Sequence, residues 1–157
     1  MTTATRTNRE VLDLFAAAKN RQDVAEALTF TSEGVTIEIP AYDSVGRGRA
    51  EVEALWRHFF ELFPDYAVSL DMLYDEPETG DILAQGTVSL TMTGDFKGYK
   101  PNGKRATVHA FMRFSFANGQ LTHELFHFDF GTICRVSGVP LEAAVEAITA
   151  NAPWSSL

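Results

Sequence analysis

The stretch HELFHFDFG, residues 123–131, brings two histidines and a glutamate close together in the chain. His123, Glu124 and His127 match the pattern H-E-x-x-H, in which two histidines bind zinc and the glutamate acts on a metal-bound water. This chemistry needs a helix, because only a helix places residues four apart on one face. On a strand the two histidines would lie about 13 Å apart and could not share one ion. The secondary structure of this stretch therefore decides whether a zinc site can form.

The residues around the motif predict a strand. Asn118-Gly119, just before it, is the pair most typical of a two-residue hairpin turn, since both residues tolerate a positive φ. Beyond the turn, two kinds of residue alternate with the two-residue period of a strand. One set is Phe126, Phe128 and Phe130, and the other is Leu125, His127 and Asp129. We therefore predict a strand over residues 121–130, which makes the zinc pattern coincidental and predicts no metal.

Composition and charge limit the classes of function that remain. The chain has 157 residues, of which 45% are hydrophobic and 22% charged, and these values predict one globular domain over residues 1–157. Its one cysteine, Cys134, has no partner for an internal disulfide. The net charge of −8 argues against nucleic acid, whose binding draws on clustered lysine and arginine.

Hydropathy predicts a protein of the cytoplasm without a membrane partner. The first ten residues, MTTATRTNRE, are polar and lack the apolar run of a signal peptide. No stretch approaches the roughly 20 apolar residues that span a bilayer. The 12 phenylalanines are a high count, and they fit either an aromatic core or the lining of an apolar pocket.

The predicted helices and strands that carry these residues follow an order typical of an α+β fold. Thr7 and Glu10 form a capping box before an apolar helical stripe. Further helices are predicted over residues 23–28 and 50–63 and from residue 141. Further strands are predicted over residues 35–39, 66–74, 82–93 and 105–117, with a glycine-containing loop over residues 41–49. A curved sheet with helices across its concave face would enclose a pocket.

Much of the chain resembles a known family. The stretch TGDFKGYKPNGKRATVHAFMRFSFANGQLTHELFHFD, followed by GTICRVSGVP, resembles the SnoaL-like polyketide cyclases of the nuclear transport factor two superfamily. The shared features are Gly-x-Phe-x-Gly at 94–98, Pro-x-Gly-Lys at 101–104, the Asn-Gly turn, and a strand that ends in Asp129. The upstream stretch VTIEIPAYDSVGRGRAEVEALWRHFFELFPDYAV also fits. The resemblance implies a cone-shaped, curved antiparallel sheet with helices packed on its concave face, the nuclear transport factor two-like or cystatin-like fold.

The resemblance also implies a chemistry without metal or cofactor. In the cyclases the carboxylate at the position of Asp129 serves as the general acid/base of an intramolecular aldol closure. One carboxyl in an apolar wall can take a proton from carbon and give one to the forming alkoxide, and burial among phenylalanines would raise its pKa toward the working pH. Alternatively, Asp129 caps the turn after the strand and bonds to the amides near Gly131 and Thr132.

Two histidines are candidates to assist Asp129. His127 precedes it by two residues and so shares its strand face, where it could orient Asp129 or share a proton with it. Alternatively, His127 faces solvent or an interface. His109 lies on the preceding strand, and histidines occur near this place in the family.

The Asn-Gly turn predicts the register between these two strands. A two-residue turn places His109 opposite Phe128, on the other face from Asp129. A single β-bulge would reverse this assignment. The same register places Arg113 opposite Glu124, as a cross-strand ion pair.

Apolar residues are candidates to bind the substrate. Tyr42, in the loop after the first strand, would reach the mouth of the pocket in this fold. Helical stripes carry Phe15, Trp56 and Phe59, which are core residues or a platform for the substrate. The remaining candidates are Phe111 and Leu125. Leu125 stands where many family members carry tryptophan, which suggests a reshaped pocket or interface.

These features predict a cofactor-free bacterial enzyme that cyclises or isomerises an apolar, polyketide-like small molecule by acid/base catalysis. The alternative is a non-catalytic small-molecule-binding or assembly protein of the same fold, with its pocket used for ligand capture or merely filled. We expect a homodimer or a larger homo-oligomer, because the outer face of the sheet needs covering.

Overall fold

The computed structural model describes residues 6–157. Residues 1–5, half of the polar stretch that opens the chain, lie outside this range. Helix α1 (Asn8–Asn20) begins with the predicted capping box, in which Thr7 and Glu10 satisfy each other's backbone amides. The short helix α2 (Val24–Thr29) starts from Asp23, whose side chain accepts a hydrogen bond from the amide of Glu26. Both predicted helices are confirmed.

Most of the other elements lie close to their predicted bounds, although the first strand begins four residues earlier than predicted and two of the elements were not predicted. The strands are β1 (Thr31–Ile39), β2 (Ser44–Arg47), β3 (Ala67–Asp75), β4 (Ile82–Thr91), β5 (Arg105–Ala117) and β6 (Gln120–Phe128). The remaining helices are α3 (Gly48–Leu62), α4 (Phe130–Ser137) and α5 (Leu141–Thr149), and a single 3₁₀ turn covers Pro40–Tyr42.

The six strands form one curved sheet in the order β2-β1-β6-β5-β4-β3. All neighbours are antiparallel except β1 and β6, which run parallel. Along β5 the residues alternate between buried and exposed, so one face of the sheet is apolar and packs against α1 and α3. We call this the inner face and the opposite one the outer face. The α+β fold with helices on the concave face is confirmed.

A β-bulge in β6 changes the predicted register. Ala117 pairs with Gln120 as expected, but the register shifts by one between Ser115 and Phe116. Beyond the bulge Arg113 lies opposite Leu125, so the predicted pairing of Arg113 with Glu124 is wrong. The extra residue turns Glu124 onto the inner face, because each one-residue shift moves side chains to the other face.

Two elements were absent from the sequence-based prediction. Strand β2 lies in the stretch predicted as a loop, where it pairs with the end of β1. Helix α4 begins one residue after Asp129, so strand β6 ends at Phe128 rather than at residue 130. Strand β2 is too short to show a pattern, whereas α4 has helical spacing in Phe130, Ile133 and Cys134 that the prediction of a strand through residue 130 obscured.

Each outer strand of the sheet has one residue whose backbone N–H and C=O both bond to another part of the chain. The Asn20 side chain, at the end of α1, bonds to the backbone N–H and C=O of Val68 in β3 at 2.9 and 3.0 Å. At the opposite edge, Ser155 exchanges two backbone hydrogen bonds of 2.9 and 3.0 Å with Val45 of β2. Across residues 6–157, no helix is long and apolar enough to cross a membrane.

Candidate functional site

The H-E-x-x-H stretch forms a strand, as predicted. It lies in β6, where His123 and His127 are on the outer face and Glu124 is on the inner face. The helix that a zinc protease needs is therefore not formed. Within residues 6–157 there is no group of three or more His, Cys, Asp or Glu residues placed to hold a metal ion.

Asp129 lies outside the interior of the sheet, contrary to expectation. Its exposed carboxylate caps α4 by accepting hydrogen bonds from the hydroxyl and the amide of Thr132, at 2.6 and 2.9 Å. These bonds lower the pKa of Asp129, whereas the expected burial would have raised it. Strand alternation explains the error, because a residue between Phe128 and Phe130 points away from both. The expected burial and raised pKa are wrong, and the capping alternative describes the geometry.

Four more candidates lie on the outer face. His109 and Phe111 are on β5, and Leu125 and His127 are on β6. Phe111 is 56% exposed, both histidines are exposed, and Leu125 is half-buried. The structure therefore does not place these four residues in the interior, and for His127 the solvent-facing alternative describes the geometry. As expected for a bulge, His109 shares a face with His127 rather than with Phe128. That shared face is the outer one.

The other four candidates lie together in the core, on the inner face of the sheet. Phe15 of α1, Trp56 and Phe59 of α3, and Tyr42 of the 3₁₀ turn are each at most 2% exposed. The rings of Phe15 and Trp56 lie 5.5 Å apart, and Tyr42 contacts Phe128 edge-on at 6.3 Å. Tyr42 is thus deep in the core and not at a pocket mouth.

A buried ion pair joins α1 to β6 at the centre of this aromatic cluster. The Lys19 ammonium lies 3.1 and 3.3 Å from the two carboxylate oxygens of Glu124. Lys19 is 5% exposed and Glu124 is 1% exposed. A buried pair of this kind adds little to stability, since the loss of hydration offsets most of the attraction, so its presence suggests a functional role.

Aromatic rings surround the ammonium group of Lys19. Its nitrogen lies 5.2 Å from the ring centroid of Phe15, 5.5 Å from that of Trp56 and 5.4 Å from that of Phe126. These distances fit cation–π contacts, which hold the charged amine in place without supplying an oxygen. The indole N–H of Trp56 is buried and has no hydrogen-bond acceptor within the described chain.

The pKa values of two buried tyrosines are raised in this interior. Burial first, and then the nearby Glu124 carboxylate, raises the pKa values of Tyr42 and Tyr66 well above 10. Their hydroxyls therefore stay protonated at neutral pH and remain available as donors. The interior thus combines one carboxylate with several donor groups.

The space beside the ion pair is small. A crevice between α1 and β3 reaches Lys19 and Glu124, with a volume of about 10 Å³. This is the lower limit for holding one water molecule. The interior is filled by its own side chains, and a larger ligand needs α1 and β3 to separate.

Lys19 and Glu124 were missed for different reasons. Lys19 follows Phe15 by four residues on the buried stripe of α1, but lysines near helix ends often extend to solvent. Glu124 has the same strand parity as Phe126 and Phe128, and that signal was available in the sequence. The register counted from the Asn-Gly turn instead placed Glu124 on the outer face, because the sequence does not show the bulge.

Comparison with known proteins agrees with this fold. The family model described as SnoaL-like polyketide cyclase matches residues 9–135. No curated protein matches the chain.

Solved structures resemble the chain over most of its length. A SnoaL-like polyketide cyclase from Agrobacterium tumefaciens is 20% identical, with a TM-score of 0.65 over 83% of this chain and 97% of that one. A protein of ketosteroid isomerase-like fold from Catenulispora acidiphila, in complex with trimethylamine, is 13% identical, with a TM-score of 0.74 over 87% and 98%. An NTF2-like protein from Burkholderia pseudomallei is 22% identical, with a TM-score of 0.70 over 83% and 96%. At these identities the likeness concerns the fold. The family model, which covers most of the chain, shows that this protein belongs to the SnoaL-like polyketide cyclase family.

Proposed function

We propose that the protein is a cyclase- or isomerase-type enzyme that moves protons on an apolar, polyketide-like small molecule, and that Glu124 is its acid/base. Family membership supports a cyclase-type role. The single observation that carries the assignment of Glu124 is its carboxylate, 1% exposed and paired with Lys19 inside an aromatic interior. Asp129 caps a helix in solvent and lacks the apolar surroundings that the family chemistry requires.

The proposed chemistry needs one base and one stabilising cation. Glu124 removes a proton from the carbon beside a carbonyl group, and the C–H electron pair enters the enolate. Lys19 stabilises the charge that develops on the enolate oxygen, in a site from which water is excluded. In ring closure the enolate carbon attacks a second carbonyl of the same molecule, and Glu124 returns its proton to the new alkoxide. In isomerisation the proton returns to a different carbon. Neither route consumes a cofactor.

Exchange of carbon-bound protons tests this role without knowledge of the natural substrate. In D₂O the wild type should speed deuterium uptake at C1 of 2-tetralone, a bicyclic ketone, as followed by proton NMR. Glu124→Gln keeps the size of the side chain but removes the base, and should slow exchange by about 10²–10⁴-fold. Glu53→Gln is the matched control, since Glu53 forms an exposed ion pair with Arg57. Equal exchange by Glu124→Gln and wild type would remove Glu124 from the mechanism.

The filled interior favours a second candidate, a non-catalytic binding or assembly protein of the same fold. A crevice of about 10 Å³ admits no substrate unless α1 moves. The same experiment separates the two candidates. A wild type that exchanges no faster than buffer, at any tested ketone concentration, would favour the non-catalytic protein.

We also propose that the protein forms a homodimer through the outer face of the sheet. Large apolar side chains cluster there, with Met72, Tyr74, Leu83 and Phe111 each between 46% and 56% exposed. Exposed apolar clusters of this kind mark interaction sites. The variant Leu83→Asp should convert a dimer into a folded monomer, measured by light scattering on a sizing column. A monomeric wild type would contradict the proposal.

A further inference from the structure

In the described part of the chain, the interior of the sheet holds a hydrogen-bond donor that has no acceptor, beside an ammonium group with a single carboxylate partner. The Lys19 ammonium carries three N–H bonds, and its oxygen partners within residues 6–157 are the two carboxylate oxygens of Glu124. The indole N–H of Trp56 has no acceptor there either, although Trp56 is 1% exposed. Unpaired buried donors are costly to keep. A ligand that brings an oxygen acceptor would remove that cost.

The charge of the interior is already balanced. Among the described residues, Lys19 and Glu124 are the charged side chains that are buried, and their charges cancel. A carboxylate ligand would add a negative charge with no buried cation left to pair with it. An uncharged ligand adds none.

We propose that this site binds an uncharged ligand through a carbonyl oxygen and rejects a carboxylate of the same shape. The inference rests on the proposed function, since it concerns the same site. In the proposed complex the remaining N–H of Lys19 donates to the carbonyl oxygen, and Trp56, whose ring centroid lies 5.5 Å from the Lys19 nitrogen, supplies the second donor. Trp56 is therefore a specificity-determining residue, because it supplies a donor that a ligand without an acceptor leaves unpaired.

Proton transfer in this site preserves its charge balance. When Glu124 takes a proton from carbon, the C–H bond breaks and an O–H bond forms on the carboxyl group. The electron pair moves into the enolate, so the negative charge moves from Glu124 to the ligand oxygen beside Lys19. The interior has zero net charge before and after this step. A ligand that arrives as a carboxylate would leave two negative charges with one cation.

The ligand enters between α1 and β3. The crevice is bordered by Phe15 and Lys19 on α1 and by Val68 on β3. Polar contacts hold the two elements together at its sides, namely those of Asn20 with the Val68 backbone and of Arg9 with Asp75. These contacts are exposed and exchange with water at little cost. Separation of α1 from β3 therefore leaves the rest of the sheet intact.

Two bicyclic probes of similar size test the charge selection in the wild-type protein. 2-Tetralone is an uncharged bicyclic ketone, and 2-naphthoate is a bicyclic carboxylate. Calorimetric titration at pH 7.5 should give an affinity for 2-tetralone at least tenfold higher than that for 2-naphthoate. Equal affinities, a preference for 2-naphthoate, or binding of neither probe would overturn the inference.

Changing the charge of the site should change the preference. Glu124→Gln leaves Lys19 without its counter-charge, so its affinity for 2-naphthoate should rise at least tenfold. Trp56→Phe removes one donor and keeps an aromatic ring at this position, so it should weaken 2-tetralone binding about fivefold while 2-naphthoate remains excluded. An unchanged preference in folded Glu124→Gln protein would overturn the charge argument. The wild-type titration decides the selectivity if this variant does not fold.

Binding and exchange fail separately. Selective binding of 2-tetralone without deuterium exchange would leave the inference standing and remove the proposed acid/base function. Exchange together with equal binding of both probes would leave the function standing and overturn the inference.

Discussion

At the scale of single residues, the position of each carboxylate on the strand decides its role. Asp129 and Glu124 are five residues apart, yet one caps a helix in solvent and the other lies in the core. The exposed carboxylate of Asp129 has a lowered pKa, because the hydroxyl and the amide of Thr132 donate hydrogen bonds to its ionised form. The buried carboxylate of Glu124 instead pairs with the ammonium group of Lys19. The two carboxylates therefore differ in chemistry, although they lie in the same phenylalanine-rich stretch.

The buried ion pair predicts a strong coupling between two substitutions. Lys19→Met or Glu124→Leu alone should lower the free energy of unfolding by about 3–5 kcal/mol, because each leaves an uncompensated buried charge. The double variant should recover most of that loss, since two apolar groups of similar size replace the pair. Urea denaturation of the four proteins measures the coupling. Additive losses would mean that Lys19 and Glu124 do not interact.

The cap on α4 predicts a modest effect of Asp129. Asp129→Ala should lower the free energy of unfolding by about 1 kcal/mol, because it removes the acceptor for the Thr132 amide. Asp129→Asn keeps a capping oxygen and should cost less. Neither variant should change deuterium exchange into 2-tetralone. A loss of exchange in Asp129→Asn, with its stability retained, would return the acid/base role to Asp129.

Among the helices and strands, those with a clear periodic pattern of apolar residues were predicted from the sequence. The capping box of α1, the stripe of α3 and the alternation in β5 are all visible in the chain, and each element formed. The hairpin turn at Asn118-Gly119 was also predicted, but the bulge three residues later was not. A bulge leaves no residue-type signal here, and it reverses which side chains face inward. The interior aromatic residues were therefore identified, whereas the ion pair among them was missed.

A close approach of two strands predicts which glycine the sheet requires. A Cβ on Gly86 of β4 would lie 1.9 Å from the carbonyl oxygen of Ser69 in β3, at the irregular pairing next to Leu70. Gly86→Ala should therefore destabilise the protein by more than about 3 kcal/mol, because backbone must shift. Gly34 of β1 is the control, since its Cβ would meet nothing within 4 Å. Thermal unfolding of the two alanine variants measures the difference, and equal midpoints would contradict the strand geometry.

At the scale of the whole molecule, the C-terminal segment is packed against α3 through a histidine. The His58 ring lies 5.4 Å from the Trp154 ring, and Trp154 donates a hydrogen bond to Ser44 at 3.0 Å. Burial lowers the pKa of His58, and nearby Glu61 offsets this only in part. The neutral imidazole is therefore the form that fits the folded protein.

This contact predicts a loss of stability in mild acid. The unfolded chain takes up a proton on His58 near pH 6.5, before the folded protein does. The stabilisation is thus complete above about pH 6.5 and falls as the pH drops below it. His58→Gln cannot be protonated and should show a smaller fall in unfolding free energy between pH 7 and pH 5.5, measured by urea denaturation. Identical pH profiles would mean that His58 is solvated.

The pairing of Ser155 with Val45 has a practical consequence for anyone purifying the protein. An outermost strand with free amides and carbonyls recruits strands from other molecules, and stacking of this kind leads to fibrils. Ser155 occupies those groups at one side of the sheet. A purification tag fused at Leu157 that pulls this segment away would therefore promote precipitation, and one placed at the opposite terminus would avoid it.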